Sequence, residues 1–248
     1  MILPLHVMTY NIAGRWVNWH HLRCLLRQYH LDLVLLQEVL RPQQAQWLAA
    51  QLDLPYWHFA PSAGRSQGVA LLSRWPLGPS QTLCFQHSAQ GKVALAAPVA
   101  APTGAFWVCT THLDYPRSIS YNTGLWALIA FVGREAFGRS RRYLEVQELR
   151  AWLLHLTEAP WIVGGDFNSF PFSRAHRSFS QTFTDALCRR PWRYFTGTYR
   201  HRGFPCAVRI DFLYHSPVLR VLDARVARRT VSDHWSILAT LTSAATGQ

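Results

Sequence analysis

Short apolar runs rich in β-branched residues recur along this chain, separated by stretches with helical spacing. That alternation constrains the fold more than any other feature. The runs His6–Tyr10, Leu33–Gln37, Val69–Ser73, Val93–Val99, Phe106–Thr111, Trp161–Gly165, Ile210–His215 and Ile237–Leu241 have the length and composition of strands. Helices are expected over Trp19–Tyr29, Pro42–Leu52, Arg141–Leu156 and Ser173–Phe179. In the third of these, Leu149, Trp152, Leu153 and Leu156 share one face, and Ser173 is suited to cap the fourth after Pro171. The pattern predicts an α/β (α+β) domain of layered sheets and helices. A chain of 248 residues, 49% of them hydrophobic, can bury a core of that kind. No repeat, low-complexity tract or linker interrupts it, so residues 1–248 are read as one domain.

Polar side chains with chemical potential fall where the runs end. Asn11 follows the first and Glu38 the second; His112 and Asp114 follow Phe106–Thr111, and Asp166 and Asn168 follow Trp161–Gly165. Each has a structural reading when taken alone. Glu38 suits a helix cap, and Asp166-x-Asn168 suits an Asx turn, with Gly164 and Gly165 letting the backbone turn tightly. His112 reads as a satisfied structural histidine, and Ser232-Asp233-His234 as a cap with a core histidine. Asn11, Glu38, His112, Asp166, Asn168, Asp211, Asp233 and His234 together supply four carboxylates, two amides and two imidazoles. Hard oxygens of that kind suit Mg²⁺, with Mn²⁺ accepting the same donors, and imidazoles move protons. The set holds no thiolate, so zinc–sulfur chemistry is not indicated.

The motifs also stand in a distinctive order. They are Met8-Thr9-Tyr10-Asn11, Leu36-Gln37-Glu38-Val39, the run Gly68 to Arg74, Thr111-His112-Leu113-Asp114, Gly165-Asp166-Phe167-Asn168-Ser169, Arg209-Ile210-Asp211-Phe212 and Ser232-Asp233-His234-Trp235. This series resembles that of the endonuclease/exonuclease/phosphatase superfamily. Its members include deoxyribonuclease I, apurinic endonucleases, sphingomyelinases and inositol polyphosphate phosphatases. The resemblance implies a four-layer sandwich, two packed mixed β-sheets flanked by helices. It implies a Mg²⁺ site at Glu38, Asn11 and Asp233, with Asp166 and Asn168 orienting the phosphate and the attacking water. It implies that His234 contacts the phosphate or assists proton transfer, that Asp211 fixes its tautomer, and that His112 protonates the leaving group. A second metal at Asp166, Asn168 and His234 is compatible with the same series.

Substrate is less constrained. The chain carries 25 Lys+Arg against 13 Asp+Glu, a net charge of +12, which favours a polyanion: nucleic acid, or an anionic membrane surface. Nearly all the basic residues are Arg, Lys92 being the single lysine. Arg41, Arg65, Arg74, Lys92, Arg117 and the Arg139–Arg142 cluster lie near motifs in sequence and are candidates for contacts to flanking phosphates. The Pro116–Arg142 insert contains Leu125–Val132, which is too short to span a bilayer. It reads as a buried helix or as an apolar lid. Trp192, Tyr194, Phe195 and Tyr199 are interleaved with arginines, as in a base-stacking surface or a core.

The expected activity is therefore Mg²⁺-dependent phosphodiester hydrolysis, first as a DNA endonuclease. A lipid phosphodiesterase of the sphingomyelinase type comes next, and then an inositol phosphate phosphatase. The non-enzymatic alternative is an inactive polyanion-binding domain, which the intact site positions oppose. No feature specifies a lesion pocket or an obligate protein partner. The cysteines Cys24, Cys84, Cys109, Cys188 and Cys206 have no zinc-ligand spacing and are expected to be mostly buried thiols in a reducing compartment. No signal peptide is visible, so a cytoplasmic location is expected, with export of a trimmed form left open.

Overall fold

The computed structural model describes residues 4–64, 67–102, 104–116, 125–138, 140–188, 196–200 and 207–243. In chain order the elements are β1 (Leu5–Asn11), α1 (Trp19–Leu26), β2 (Leu33–Val39), α2 (Pro42–Gln51), β3 (Tyr56–Pro61), β4 (Gly68–Ser73), β5 (Gln81–Cys84), β6 (Val93–Ala101) and β7 (Gly104–His112). They continue with α3 (Leu125–Phe137), α4 (Arg141–Leu156), β8 (Trp161–Asp166), α5 (Arg174–Phe179), β9 (Thr184–Asp185), β10 (Asp211–His215), β11 (Leu219–Val226) and β12 (Ile237–Ser243).

Two six-stranded sheets form, in the orders β11-β12-β1-β2-β4-β3 and β5-β6-β7-β8-β10-β9. Both are mixed. β1 with β2 and β7 with β8 are parallel, and the other neighbours are antiparallel. Side-chain alternation explains the layering. In β2, Leu33 and Leu35 face the other sheet, where they join Val7, Leu71, Leu95, Val108, Ile162 and Leu213. Val34 and Leu36 point outward, onto Leu22 and Leu26 of α1 and Leu48 of α2. In β8, Ile162 faces inward, while Trp161 and Val163 meet Leu149 and Leu153 of α4 and Phe179 of α5. The result is the expected four-layer sandwich. Ser173 caps α5 as expected, its side chain accepting from the His176 N–H.

A polar group is buried in the apolar interface between the sheets. Gln37 is fully buried, and its Nε2 donates to Thr9 Oγ1 at 3.2 Å and to Thr110 Oγ1 at 3.0 Å. Thr110 Oγ1 in turn donates to the Leu36 carbonyl at 3.3 Å.

The glycine pair before Asp166 serves a different purpose from the turn expected. Both residues lie inside β8. A Cβ on Gly164 would sit 2.9 Å from Thr9 Cβ in the facing sheet, and one on Gly165 would sit 2.0 Å from the Thr111 carbonyl oxygen. Close approach is what excludes a side chain here. The cysteine expectation also needs correction: Cys109 is buried, but Cys24, Cys84 and Cys188 are exposed, and Cys206 lies outside the described residues. Within the insert, Leu125–Phe137 is helical, but the side chains of 125–129 and 131 lie outside the described residues, so the choice between buried helix and lid does too. Among the described residues no helix is long and apolar enough to cross a membrane.

Candidate active site

Parallel pairing sends β1 and β2 of one sheet, and β7 and β8 of the other, toward a common edge. Strand ends at such an edge are where open sheets carry ligands. Asn11, Glu38, His112 and Asp166 therefore converge. β10 runs antiparallel to β8 and begins there, with Asp211 directly opposite Asp166. Asp233 and His234 arrive on the segment leading into β12.

Glu38 is aimed by its backbone. It lies where the β2–β4 register shifts between Gln37 and Val39, and its φ is +63°. A left-handed non-glycine residue costs about 1–3 kcal/mol, and a bulge re-aims the side chain it carries. Glu38 Oε2 accepts from Gln67 Nε2 at 2.8 Å, and Oε1 from Asn11 Nδ2 at 3.4 Å. Asn11 Nδ2 also donates to Asp166 Oδ2 at 3.0 Å, while Asn11 Oδ1 accepts from the Ala13 N–H at 3.1 Å. Asn11, expected among the metal ligands, bridges the two carboxylates as a donor.

Asp166 is the hub. Its Oδ1 accepts from the Asn168 N–H at 2.9 Å, and its Oδ2 lies 3.5 Å from His112 Nε2 and 3.9 Å from His234 Nε2. Asn168, at φ +47°, donates its side-chain amide to the Leu113 carbonyl at 2.9 Å. His234 Nδ1 meets Asp211 Oδ2 at 2.9 Å, as the sequence predicts. Burial, and then the Asp211 charge, raise the Asp166 carboxyl to about 7. For His234, burial works against the imidazolium, but the Asp211 charge and hydrogen bond, with Asp166 and Asp233 beyond, outweigh it and raise the pKa to about 10. Lys92 is buried behind His112, its Nζ 3.0 Å from Nε2 and 3.1 Å from Nδ1. Being equidistant, the ammonium lies against the ring as a whole rather than on one lone pair.

The donor chemistry fits a hard divalent cation. Asp166, Asp211 and His234 present ligand atoms within 4.8 Å of one another, and the buried Asp211 Oδ1 has no hydrogen-bond partner among the described residues. Asp211 Oδ2 is committed to His234, however, so this trio reads first as a proton-handling unit. Glu38 and Asp233 line the same cleft and offer hard oxygens that are not bonded to a histidine. Burial and the Asp211 charge, which raise the Asp166 pKa, are effects a bound cation would relieve.

The cleft has a volume of about 270 Å³. Its floor is polar: Glu38, His112, Asp166, Asn168, Asp233 and His234. Its walls are Tyr115, Pro116, Phe170, Tyr199, Val208 and Ile210. Gln67 and most of the wall were missed in the sequence. Ile210 was within reach, being quoted in the motif before Asp211, and Tyr199 stood among the interleaved aromatics. Trp192, Tyr194 and Phe195 lie outside the described residues.

The expected phosphate contacts fare unevenly. Lys92 joins the site. Arg74 does not: its Nε pairs with Asp32 Oδ1 at 2.8 Å, and it follows Ser73, which lies opposite Leu33 at the end of β2 remote from Glu38. Arg41 takes the exposed N-cap position of α2. Arg142 is buried in a pair with Glu135, and Arg141 lies 3.6 Å from Asp114. Asp114 itself is structural, accepting from Ser88 Oγ and from the Ala89 N–H. Arg65, Arg117 and Arg139 lie outside the described residues.

Comparison with known proteins agrees with this geometry. The model of the Endonuclease/Exonuclease/phosphatase family matches residues 8–234. No curated protein matches. Among solved structures, the human Nocturnin catalytic domain with bound sulfate anion has 22% identity and a TM-score of 0.72, over 98% of this chain and 96% of that one. The D. rerio TDP2 complexed with single-strand DNA product has 17% identity and a TM-score of 0.71, over 97% and 99%. A Bacteroides thetaiotaomicron family protein has 16% identity and a TM-score of 0.70, over 97% and 98%. At these identities the structures establish the shared fold.

Proposed function

The chain belongs to the endonuclease/exonuclease/phosphatase family, and we propose that within it the protein is a metal-assisted phosphodiesterase whose leading substrate is DNA. The observation that carries this reading is the Asp166 carboxylate, bonded to Asn11 and flanked by His112 and His234, at the base of an open cleft.

A carboxyl raised to about 7 is a competent base near neutral pH, so Asp166 takes the proton of the attacking water. Asn168, fixed by its bond to the Leu113 carbonyl, keeps the Asp166 carboxylate in place through its N–H. His234, kept cationic by Asp211, donates from Nε2 to a non-bridging phosphate oxygen as negative charge builds there. His112 and the Lys92 ammonium behind it stabilise the departing oxygen, which leaves with a proton from this side or from solvent. Mg²⁺ or Mn²⁺ held by Glu38 and Asp233, with Asn11 ordering Glu38, would neutralise the scissile phosphate.

DNA leads on charge, since +12 attracts a polyanion. A lipid phosphodiester is the second reading, because one side of the cleft is apolar. Turnover of plasmid DNA and of sphingomyelin vesicles, each with Mg²⁺, with EDTA and with His234→Ala, tests both. The expected result is DNA hydrolysis that needs the metal and His234 and weakens with salt. Cleavage of vesicles alone would transfer the reading to lipid, and no turnover of either would overturn it.

A further inference from the structure

Residues 227–236 leave the sheet after β11 and return to it at β12, and they carry Asp233 and His234 to the cleft. The Ala227 N–H closes this excursion at its neck, donating to the Ser236 carbonyl at 2.8 Å. Apart from a single bridge at His234, no helix or strand holds it. On one side backbone bonds fix it. The Arg200 N–H donates to the Asp233 carbonyl at 3.1 Å, and the Trp235 N–H to the Thr198 carbonyl at 2.6 Å. On the other side the end of β1 meets it through side chains.

Neighbouring residues of a strand face opposite ways. Asn11 turns to Glu38 and Asp166, while Tyr10 is buried in the outer layer with Leu22 and Leu26 of α1. Packing of the ring needs no hydroxyl, and this hydroxyl has a separate use. It accepts from the Val231 N–H at 3.1 Å and lies 2.7 Å from Thr230 Oγ1. Thr230 Oγ1 also meets the carbonyls of Ser232, at 3.1 Å, and of His234. A carbonyl can only accept, so the single Thr230 proton is spent there and Thr230 accepts from Tyr10. The chain of bonds therefore runs from the Tyr10 hydroxyl through Thr230 to the backbone of the 232–234 stretch. Thr230 Oγ1 accepts in addition from the Ser232 N–H at 3.1 Å. Ser232 Oγ then reaches back to β1, meeting the Asn11 carbonyl at 2.9 Å, and contacts Asp233 Oδ1 and the His234 N–H, each at 3.2 Å.

We infer that Tyr10 is a positioning residue: its hydroxyl, acting through Thr230, sets where Asp233 and His234 stand in the cleft. The inference rests on the phosphodiesterase reading, which gives those two residues their roles, and adds to it a group that does not line the cleft. Burying a hydroxyl in so apolar a layer costs free energy unless it is bonded, and both bonds of this one lead to the same segment. Asp211 sets the tautomer of His234; the Tyr10–Thr230 pair sets the backbone from which the ring projects. Misplacing a reacting group by about 1 Å costs on the order of 10²-fold in rate.

The test compares Tyr10→Phe, Thr230→Val and Thr230→Ser with the wild type in the full chain. Calorimetry without substrate measures Mn²⁺ affinity, which reports on Asp233. Hydrolysis of methyl p-nitrophenyl phosphate at saturating Mg²⁺ gives kcat and KM, with kcat reporting on His234. Tyr10→Phe and Thr230→Val should each weaken Mn²⁺ binding and lower kcat by roughly 10- to 100-fold, the range for removing a group that orients a ligand, with KM changed little. The double variant should be no worse than either single, because both break one chain of bonds. Thr230→Ser keeps the hydroxyl and should recover both quantities. Variants that lower Tm yet keep wild-type Mn²⁺ affinity and kcat would make the pair merely structural and overturn the inference. Additive losses in the double variant would overturn it as well, as would a wild type that binds no Mn²⁺. If Tyr10→Phe does not fold, the two Thr230 variants decide by the same criteria. Absence of turnover in the wild type removes the phosphodiesterase reading, while Mn²⁺ affinity still decides whether the hydroxyls place Asp233.

Discussion

Asp211 Oδ2 and His234 Nδ1 share a 2.9 Å hydrogen bond, which leaves His234 Nε2 as the ring nitrogen turned toward Asp166. Asp211→Asn keeps the shape but offers an amide where an acceptor stood, reversing the tautomer and removing the charge that keeps the ring cationic. By analogy with the same swap in hydrolase triads, kcat should fall on the order of 10³-fold or more, with KM changed little. Steady-state kinetics against an unchanged circular dichroism spectrum check this. A loss confined to KM would contradict the assigned role.

Glu38 combines a strained backbone with a functional carboxylate. Asn adopts the left-handed region more readily than Glu and carries no charge. Glu38→Asn should therefore gain about 1 kcal/mol of stability while losing nearly all turnover. Thermal melts and activity on the same preparation should move in opposite directions.

The two glycines of β8 should respond differently to a methyl group. In Gly164→Ala the methyl meets side chains of the facing sheet, at a cost of about 1–3 kcal/mol with activity largely kept. In Gly165→Ala it meets the backbone carbonyl of Thr111, one residue from both His112 and Asp166, so stability and turnover should fall together. Paired melts and rates distinguish the two variants.

Stability should also depend on pH through two buried groups that do not line the cleft. Burial, and then the Asp114 charge, raise Glu145 from 4.5 to about 8. Its contribution is full below pH 4.5 and is lost as pH rises through 8. Burial, only partly opposed by Asp185, lowers His176 from 6.5 to about 4, beside the Tyr214 hydroxyl at 2.6 Å. That contribution is full above 6.5 and is lost as pH falls through 4. Glu145→Gln should flatten the decline of Tm between pH 4.5 and 8 and leave the acid limb below pH 4.5 as it was.

The strands that the sequence reveals and those it hides divide along a physical line. Every run expected from the sequence became a strand. The strands missed, β3, β5, β9 and β11, are the outer strands of the two sheets. An interior strand covered on both faces reads as a continuous apolar run, as Val69–Ser73 does. An outer strand such as Gln81–Cys84 is largely exposed, and β11 is broken by a register shift between Val221 and Asp223, so neither shows a clear period. The site followed the same logic. Asp166, His234 and their partners were legible only as an ordered series of motifs, since each alone reads as a turn, a cap or a core histidine. Tyr115 and Phe170 were not, because an aromatic ring in sequence looks the same whether it fills a core or faces a ligand. Arg74 misled for a related reason: nearness to a motif in sequence says nothing about which end of a strand a side chain occupies.

The buried amide of Gln37 has a consequence for how the two sheets work as one device. Apolar contact is non-directional, so two hydrocarbon faces resist separation far more than they resist sliding. The bond from Gln37 to Thr110 is directional and acts as a dowel through that interface, while the bond to Thr9 braces Gln37 within its own sheet. A slip of a single residue moves a strand by about 3.3 Å, more than a whole hydrogen bond. Glu38 and Asn11 ride on one sheet, and His112 and Asp166 on the other. Alignment of the two halves is thus held in the core by an uncharged side chain one residue before Glu38, and at the cleft by the bond from Asn11 to Asp166.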